Sequence, residues 1–471
     1  MKYLTTFLRL LVVVVAFATP QFSVAKELSR EQKLYGLAQF WKEVSYNFAY
    51  FDQVPELDWD QQYLHFIEVV ANTENDHEYY RQMLRFAALL QDGMTHITPP
   101  APLLEQYVGW APIQLSEHNR KAVVTAVAES LQQQLPTGAV ITQVNAMAVD
   151  EFLAKQVFPF ISSSTEQILW DKGIRGSRKT GVGLLAGPVG ATLEITAVTA
   201  EGETVKVSTQ YLSSSEAPTM VGQANPRRSA NFEYKALADN LGYVRIGTFA
   251  DTKVVTQFRE VLPQLQQHQG LVLDIRHNGG GNTFIAEEIL KHLSFVNLIG
   301  AKSKMRVHNS TYKAWGRFAS EYAWAEKYLS YFNGDAWVES EPNLLEVDDV
   351  DIADKLVVPT VVLIGKNTAK AAEDFLIYLD DVSHVKTLGQ PTYGSTGQPL
   401  IFDLPGGGSA KVCTKRETYA DGRDFVGFGI QPDRFISQNI SDIVDGEDVV
   451  LMEATSLLNQ QLHVSKSAFV Q

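Results

Sequence analysis

The segment "GLVLDIRHNGGGNTFIAEEIL" (residues 270–290) combines an apolar run, three consecutive glycines and an amphipathic stretch. The apolar run is typical of a buried strand, and the spacing after the glycines is typical of a helix. Three glycines leave their backbone N–H groups unshielded by Cβ atoms, so such a turn at a helix start can bind a phosphate or an oxyanion. A tight turn that needs positive φ is the alternative interpretation.

The same order of strand and helix occurs on either side of this segment. "LGYVRIGTF" is followed by the helical pattern "TKVVTQFREVLPQLQ", and "PTVVLIG" is followed by a helix that starts near Lys370. This alternation predicts an α/β layer with parallel strand pairing. An aromatic-dense segment at 311–337 interrupts it, and we predict a helix that packs its rings on the core, with a lid over a groove as the alternative.

The first half of the chain has a different pattern. Ser29 and Gln32 predict a capping box at the start of a helical region. Further on, "KAVVTAV", "GAVITQVNAMAV", "ATLEITAVTA" and "ETVKVSTQYL" are strand-like, the last two forming a hairpin. The predicted division is a signal peptide at 1–25, a helical region at 26–104, a β-rich module at 105–212, a linker at 213–231 and an α/β domain at 232–471.

Composition limits the classes of function. The chain has 471 residues and a formal net charge of −14, which argues against nucleic acid or an anionic membrane surface as the main partner. The single cysteine, Cys413, excludes an internal disulfide framework and a CxxC metal or redox site.

The N-terminus has the pattern of an export signal. Lys2 and Arg9 precede and flank the apolar run "LLVVVVAFA", and "SVA" before Lys26 fits a cleavage site. The apolar run is short for a bilayer span, although an uncleaved anchor is the alternative. We therefore expect an exported protein, periplasmic or secreted, with no integral membrane segment after cleavage.

The sequence motifs of two kinds of site, for nucleotides and for zinc hydrolysis, are not met in this chain. A Walker nucleotide site would need glycine at Thr360 and Ser or Thr at Asn367. The zinc-hydrolase motif HExxH is absent and the ten histidines are scattered, so we expect no metal and no cofactor.

After these exclusions, nucleophilic catalysis is the remaining class of chemistry. Ser395 lies in the glycine-flanked loop "PTYGSTGQP", and Lys370 lies 25 residues earlier near a helix start. A lysine there has its ammonium form disfavoured by the helix dipole and by burial, so a neutral amine could take a proton from a serine hydroxyl. A solvated lysine at a helix end and a turn serine remain open as the plainer interpretation.

Several motifs together resemble the C-terminal-processing, or tail-specific, serine peptidase family. "LVLDIRHNGGG", "TAKAAEDFLIYLDD", "LGQPTYGSTGQP" and the ending "GFGIQPD" are similar to that family's glycine turn, nucleophile segment, lysine segment and final strands. The resemblance implies a ClpP/crotonase-like α/β core, with residues 105–212 as a PDZ-like domain. It also implies that Gly279 and Gly280 supply oxyanion donors and that substrates are peptides or proteins, bound through their C-termini.

Within this resemblance, serine and lysine have exchanged places. The family's nucleophilic serine falls at Lys370, and its base lysine falls at Ser395. Asp381 aligns with an acidic residue of the family's site, and Gln398 lies one position before the orienting glutamine.

Three hypotheses follow. The dyad is inverted, with Lys370 as base and Ser395 as nucleophile; or the protein is a dead peptidase that still binds peptides; or Lys370 is an isolated loss and Ser395 an accessory hydroxyl. The resemblance favours a serine-type endopeptidase acting through an acyl-enzyme. A catalytically dead peptide-binding protein is the alternative, and we expect little or no activity through Ser395, because the oxyanion donors suit a nucleophile at 370.

Overall fold

The computed structural model describes residues 27–222 and 230–468. The predicted signal peptide and part of the predicted linker therefore lie outside the described residues. In the described part of the chain, no helix combines the length and the apolar character needed to cross a bilayer.

The N-terminal region is helical, as predicted. Its elements are α1 (Arg30–Asn47), α2 (Trp59–Ala71), α3 (Asp76–Ala88), β1 (His96–Thr98) and α4 (Ala101–Tyr107). The predicted capping box is confirmed, because Ser29 Oγ accepts from Gln32 N at 3.3 Å and Gln32 Oε1 accepts from Ser29 N at 2.9 Å. Aromatic rings form the core of these helices, with Trp59 stacked on Phe86 at 4.2 Å between centroids.

The next segment is β-rich. It contains β2 (Val108–Trp110), β3 (Ile113–His118), β4 (Lys121–Ala128), β5 (Val140–Val144), β6 (Met147–Ala148), α5 (Val149–Phe152), α6 (Glu166–Arg175), β7 (Ala186–Pro188), β8 (Thr192–Val198), β9 (Thr204–Gln210) and β10 (Met220–Gly222). The predicted hairpin is β8–β9, and the main sheet has the order β10-β4-β5-β8-β9. β10 falls inside the predicted linker; the linker prediction is wrong there, since apolar Met220 and Val221 allow pairing with β4.

The α/β layer starts with β11 (Phe232–Leu237) and β12 (Leu241–Ile246). It continues with α7 (Lys253–Leu265), β13 (Gly270–Asp274), α8 (Thr283–Leu290), β14 (Leu298–Ile299), β15 (Lys302–Arg306), α9 (Ser310–Gly316), α10 (Leu329–Asn333), β16 (Trp337–Glu339), β17 (Leu344–Leu345), β18 (Thr360–Ile364), α11 (Ala371–Tyr378) and β19 (Val385–Gly389). The chain ends with β20 (Pro399–Leu404), β21 (Gly408–Cys413), β22 (Lys415–Thr418), β23 (Arg434–Phe435), α12 (Ile440–Asp445) and α13 (Val449–Ala468).

The predicted parallel pairing is confirmed. The central sheet has the order β11-β12-β13-β18-β19-β23, and all its pairs are parallel except β11 with β12. Its inner strands are apolar and buried on both faces, as parallel strands covered by helices must be. α13 covers one face, where Ala454 and Leu458 pack against β12, β13, β18 and β19.

A second sheet connects the two ends of the chain. β1 pairs with β21, which pairs with β20. Tyr80 of α3 also donates to the Pro405 carbonyl at 2.6 Å. The helical region is therefore packed against the loop-rich edge of the α/β domain, where Lys370 and Ser395 lie.

The aromatic segment differs from the prediction. α9, α10 and the turn between them place their rings on each other, as in the Tyr312–Tyr328 pair at 4.9 Å. Trp315, Tyr322 and Trp324 are exposed. Packing of these rings on the core was therefore a wrong expectation, because they pack on one another and these three remain exposed.

Candidate functional site

Lys370 occupies a strained turn between β18 and α11. Its backbone angles are φ 59° and ψ −124°, a combination that glycine adopts readily and that costs other residues about 1–3 kcal/mol. Its N–H donates to Glu373 Oε2 at 2.9 Å, which closes the first turn of the helix. Strain of this kind is typical of functional turns that present one side chain outward.

The glycine turn approaches this strained turn closely. Gly280 has φ +91°, and a Cβ there would lie 2.6 Å from the Ala369 carbonyl oxygen and 2.7 Å from Lys370 Cβ. Ala369 N donates to the Asn278 carbonyl at 3.0 Å. Only glycine fits at 280, because the conformation and the close approach both exclude a side chain.

The two predicted oxyanion donors have different partners. Gly280 N–H donates to Asn278 Oδ1 at 2.9 Å, so it is already occupied. Gly279 is exposed, and in the described structure its N–H has no protein acceptor. The turn therefore offers one free donor beside Lys370.

Lys370 is exposed as a whole residue, and its ammonium has no hydrogen-bond or ion-pair partner among the described residues. Its pKa is lowered, first by desolvation among the protein atoms around it and then by the positive charges of Lys411, Lys172 and Lys179. Contact of the side chain with solvent limits this shift. The sequence predicted that burial and the helix dipole lower this pKa; in the structure burial is the first cause, and the charges of other lysines come next.

Ser395 lies in a different environment. Its side chain is fully buried, and its Oγ has no hydrogen-bond partner among the described residues. A Cβ on Gly93 would lie 2.9 Å from this Oγ, which shows how closely the loop before β1 covers the serine. The structure contains no hydrogen bond between Lys370 and Ser395.

Glu373 connects the loops of these two residues. It is fully buried, and besides Lys370 N–H it accepts from Thr392 Oγ1 at 2.6 Å and from Gly394 N at 2.7 Å. Burial raises its pKa to about 7, although these hydrogen bonds act in the opposite direction. Glu373 is not among the site residues predicted from the sequence, although an acid three positions after a helix N-cap is a signal that identifies it.

Asp381 and Gln398 lie away from this centre. Asp381 is exposed beyond the C-terminal end of α11, so about 12 Å of helix separates it from Lys370. Gln398 is exposed just before β20, and its carbonyl accepts from Thr414 Oγ1 at 2.6 Å. The structure thus brings Lys370 and Gly279–Gly280 together, places Ser395 behind them and leaves these two side chains outside.

This site lacks an assembled nucleophile and base. The exposed residue of the strained turn is an amine, and the hydroxyl is enclosed without a proton acceptor. An acyl-enzyme mechanism needs a hydroxyl within hydrogen-bond reach of its base and beside the oxyanion donors.

Comparison with known proteins agrees with the motifs. Residues 240–436 match the model of Peptidase family S41. The carboxy-terminal processing protease CtpA of Bacillus subtilis (strain 168) is 25% identical over 202 residues, which are 42% of this chain and 36% of that protein. The alignment therefore spans about a third of this relative's length.

Solved structures show the same fold. Mature CPAF complexed with lactacystin has a TM-score of 0.69 at 13% identity, with 92% of this chain and 99% of that chain covered. A putative peptidase from Parabacteroides merdae ATCC 43184 has a TM-score of 0.53 at 16% identity, with 92% and 97% covered. The α/β fold class and the resemblance to C-terminal-processing peptidases are confirmed.

Proposed function

We propose that this protein binds peptides on an S41 peptidase scaffold and hydrolyses them slowly or not at all. The observation that carries the proposal is Lys370, which occupies the strained, outward-facing turn where the family resemblance expects the nucleophilic serine. The buried Ser395 Oγ, which has no partner among the described residues, supports the same conclusion. Of the alternatives open from the sequence, the dead peptide-binding protein therefore fits the geometry best.

Hydrolysis through an inverted dyad is the second candidate. It is favoured by one observation, the lowered pKa of Lys370, which increases the fraction of free amine able to act as a base. For this mechanism, Ser395 would have to leave its enclosed position and reach both the amine and the Gly279 N–H.

The test is peptide hydrolysis by purified protein beginning at Lys26, alongside Ser395→Ala and Lys370→Ser. We expect no turnover above background for the wild type and for Ser395→Ala. Lys370→Ser should recover weak activity at most, because it replaces the nucleophile but still lacks the family's lysine. Covalent labelling of Ser395 by a serine-directed phosphonate, lost in Lys370→Ala, would establish the inverted dyad instead.

Peptide binding by residues 105–212 is a separate part of the proposal. It is supported by a cavity of about 690 Å³ beside β4 and β5, lined by apolar and basic side chains such as Ile141, Trp170 and Lys121. We expect a peptide C-terminus to bind this PDZ-like module, with amidation weakening it. Equal affinity of acid and amide peptides for the full chain carrying Lys370→Gln would contradict this expectation.

Export rests on the N-terminal sequence pattern. We expect mass spectrometry of the exported protein to find Lys26 at the N-terminus. An intact N-terminus recovered from a membrane fraction would reverse this assignment.

A further inference from the structure

Three lysines from other parts of the chain, Lys172, Lys179 and Lys411, lie near the turn of Lys370. The charges of Lys172, Lys179 and Lys411 lower the pKa of Lys370. The charges of these three lysines and of Lys370 also lower the pKa of His96. We call Lys172, Lys179, Lys370 and Lys411 the lysine cluster.

Backbone and side-chain contacts place two of these lysines, Lys411 and Lys172, independently. Lys411 on β21 lies directly opposite His96 on β1 in the antiparallel register. Lys172 of α6 places its Nζ 5.4 Å from the centroid of the Tyr393 ring. The Tyr393 N–H donates to the carbonyl of Thr368, two residues before Lys370, at 2.9 Å. The cluster therefore combines residues from the N-terminal half and from the peptidase domain.

These lysines lack the carboxylate partners found elsewhere. Within the described ranges, none of the four forms an ion pair, whereas Lys366 pairs with Glu117 and Asp171, and Lys291 with Glu288 and Asp349. The contrast is notable in a chain with 54 acidic residues and 40 lysines and arginines. Because like charges raise each other's energy, an unpaired cluster favours a bound anion.

Neutral donors accompany the positive charges. Burial, followed by the nearby lysines, lowers the pKa of His96 to about 4, so its ring is neutral at physiological pH. Gly279 is exposed, its N–H has no acceptor among the described residues, and the adjacent Gly280 lies against Lys370. A carboxylate entering here would meet ammonium groups and a backbone N–H together.

We propose that the lysine cluster binds an acidic peptide segment carrying two or more Asp or Glu side chains. This inference rests on the proposed peptide-binding function and specifies its ligand. More than one carboxylate is needed because the lysines come from three separate parts of the chain, so a single carboxylate would leave most of their charge unpaired. A peptide fits better than a nucleic acid, since the rest of the protein is strongly acidic and repels an extended polyanion.

The experiment measures fluorescence anisotropy of labelled peptides with the full exported chain. One peptide carries three glutamates, a second carries glutamines at the same positions, and both have blocked termini. A third has the glutamines and a free C-terminal carboxylate, and a single-stranded oligonucleotide is the fourth probe. We expect the glutamate peptide to bind about tenfold more tightly than its glutamine counterpart, and less tightly as salt increases.

Variants test the assignment to the cluster. Lys411→Gln and Lys370→Gln should each weaken binding of the glutamate peptide about threefold to tenfold. Lys206→Gln on β9 and Lys253→Gln on α7 remove the same charge from exposed positions elsewhere and should leave the affinity unchanged.

Each of the remaining outcomes would overturn this inference, the proposed peptide binding, or both. Equal affinity for the glutamate and glutamine peptides overturns this inference but leaves the proposed peptide binding intact. No binding of any peptide overturns both. Preference for the free C-terminus, tighter binding of the oligonucleotide, or equal losses in the control variants would also overturn the acidic-segment assignment.

Discussion

Lys370 and Ser395 lie in neighbouring loops that share the Glu373 carboxylate, yet their environments are opposite. Lys370 projects from a strained turn into solvent with no acceptor among the described residues. Ser395 is fully covered by the loop that contains Gly93. An exchange of serine and lysine between two positions of a sequence therefore does not exchange their chemistry, because each position also fixes exposure, direction and neighbours.

The largest expected effect comes from restoring the family's lysine at position 395. Ser395→Lys places a charge in a fully buried site against Gly93, so we expect a loss of about 4 kcal/mol in the free energy of unfolding. Urea denaturation of the variant checks this. Ser395→Ala is the matched control and should change stability by less than about 1 kcal/mol, because the hydroxyl has no partner to lose. A stable Ser395→Lys variant would mean that the loop opens and that the two positions are less different than the structure shows.

The glycine turn tests how closely the site is packed. Gly280→Ala should destabilise the protein by about 3 kcal/mol, because its Cβ would meet Ala369 and its φ of +91° is strained for alanine. Gly279→Ala is the matched control: nothing lies within 4 Å of its Cβ, so we expect a change within about 0.5 kcal/mol. Similar unfolding midpoints for the two variants would contradict the close approach of the two turns.

Substitution of Lys370 tests the strain in its turn, and we expect a smaller change in the free energy of unfolding, in the stabilising direction. Lys370→Gly should stabilise the protein by about 1 kcal/mol, since relief of the positive φ exceeds the entropy that glycine adds to the unfolded chain. Lys370→Ala keeps the strain and should leave stability nearly unchanged. If glycine proves less stable than alanine here, the turn is not strained, and retention of lysine would need no functional explanation.

The last comparison concerns pH and Asp374, the residue after Glu373. Burial, and then the charge of Glu417, raises the pKa of Asp374 to about 8. Because this folded-state pKa lies above the ordinary value of 3.8, the folded protein keeps a proton that the unfolded chain releases. Its contribution to the free energy of unfolding is therefore complete below about pH 4 and falls as the pH rises to about 8.

Asp374→Asn removes this titration and tests its sign. The urea midpoint of the variant should fall less between pH 5 and pH 8 than that of the wild type. A change of about one pH unit within this range should be enough to detect the difference. Asp381→Asn, at an exposed position beyond the same helix, should leave the wild-type pH dependence intact. An equal fall in Asp374→Asn and the wild type would show that this carboxyl group is already ionised in the folded state above pH 5.

The sequence determined the strand and helix order, the parallel pairing of the α/β layer and the resemblance of residues 240–436 to Peptidase family S41. Apolar runs such as 271–275 and 360–364 can only be buried strands when helical patterns follow each of them. Gly280 could also be predicted, because a conformation that only glycine adopts leaves a local signal. The exchange at positions 370 and 395 was visible as soon as the motifs were aligned.

Tertiary structure alone decided what that exchange means. Ser395 is enclosed by Gly93, a residue 302 positions earlier (395 − 93), and the lysine cluster draws Lys172, Lys179 and Lys411 from distant segments. Exposed rings in 311–337 and the added strand β10 likewise depended on which surfaces were already covered. Periodicity and motifs report on neighbours along the chain, whereas burial, charge and hydrogen-bond partners depend on groups that only folding brings together.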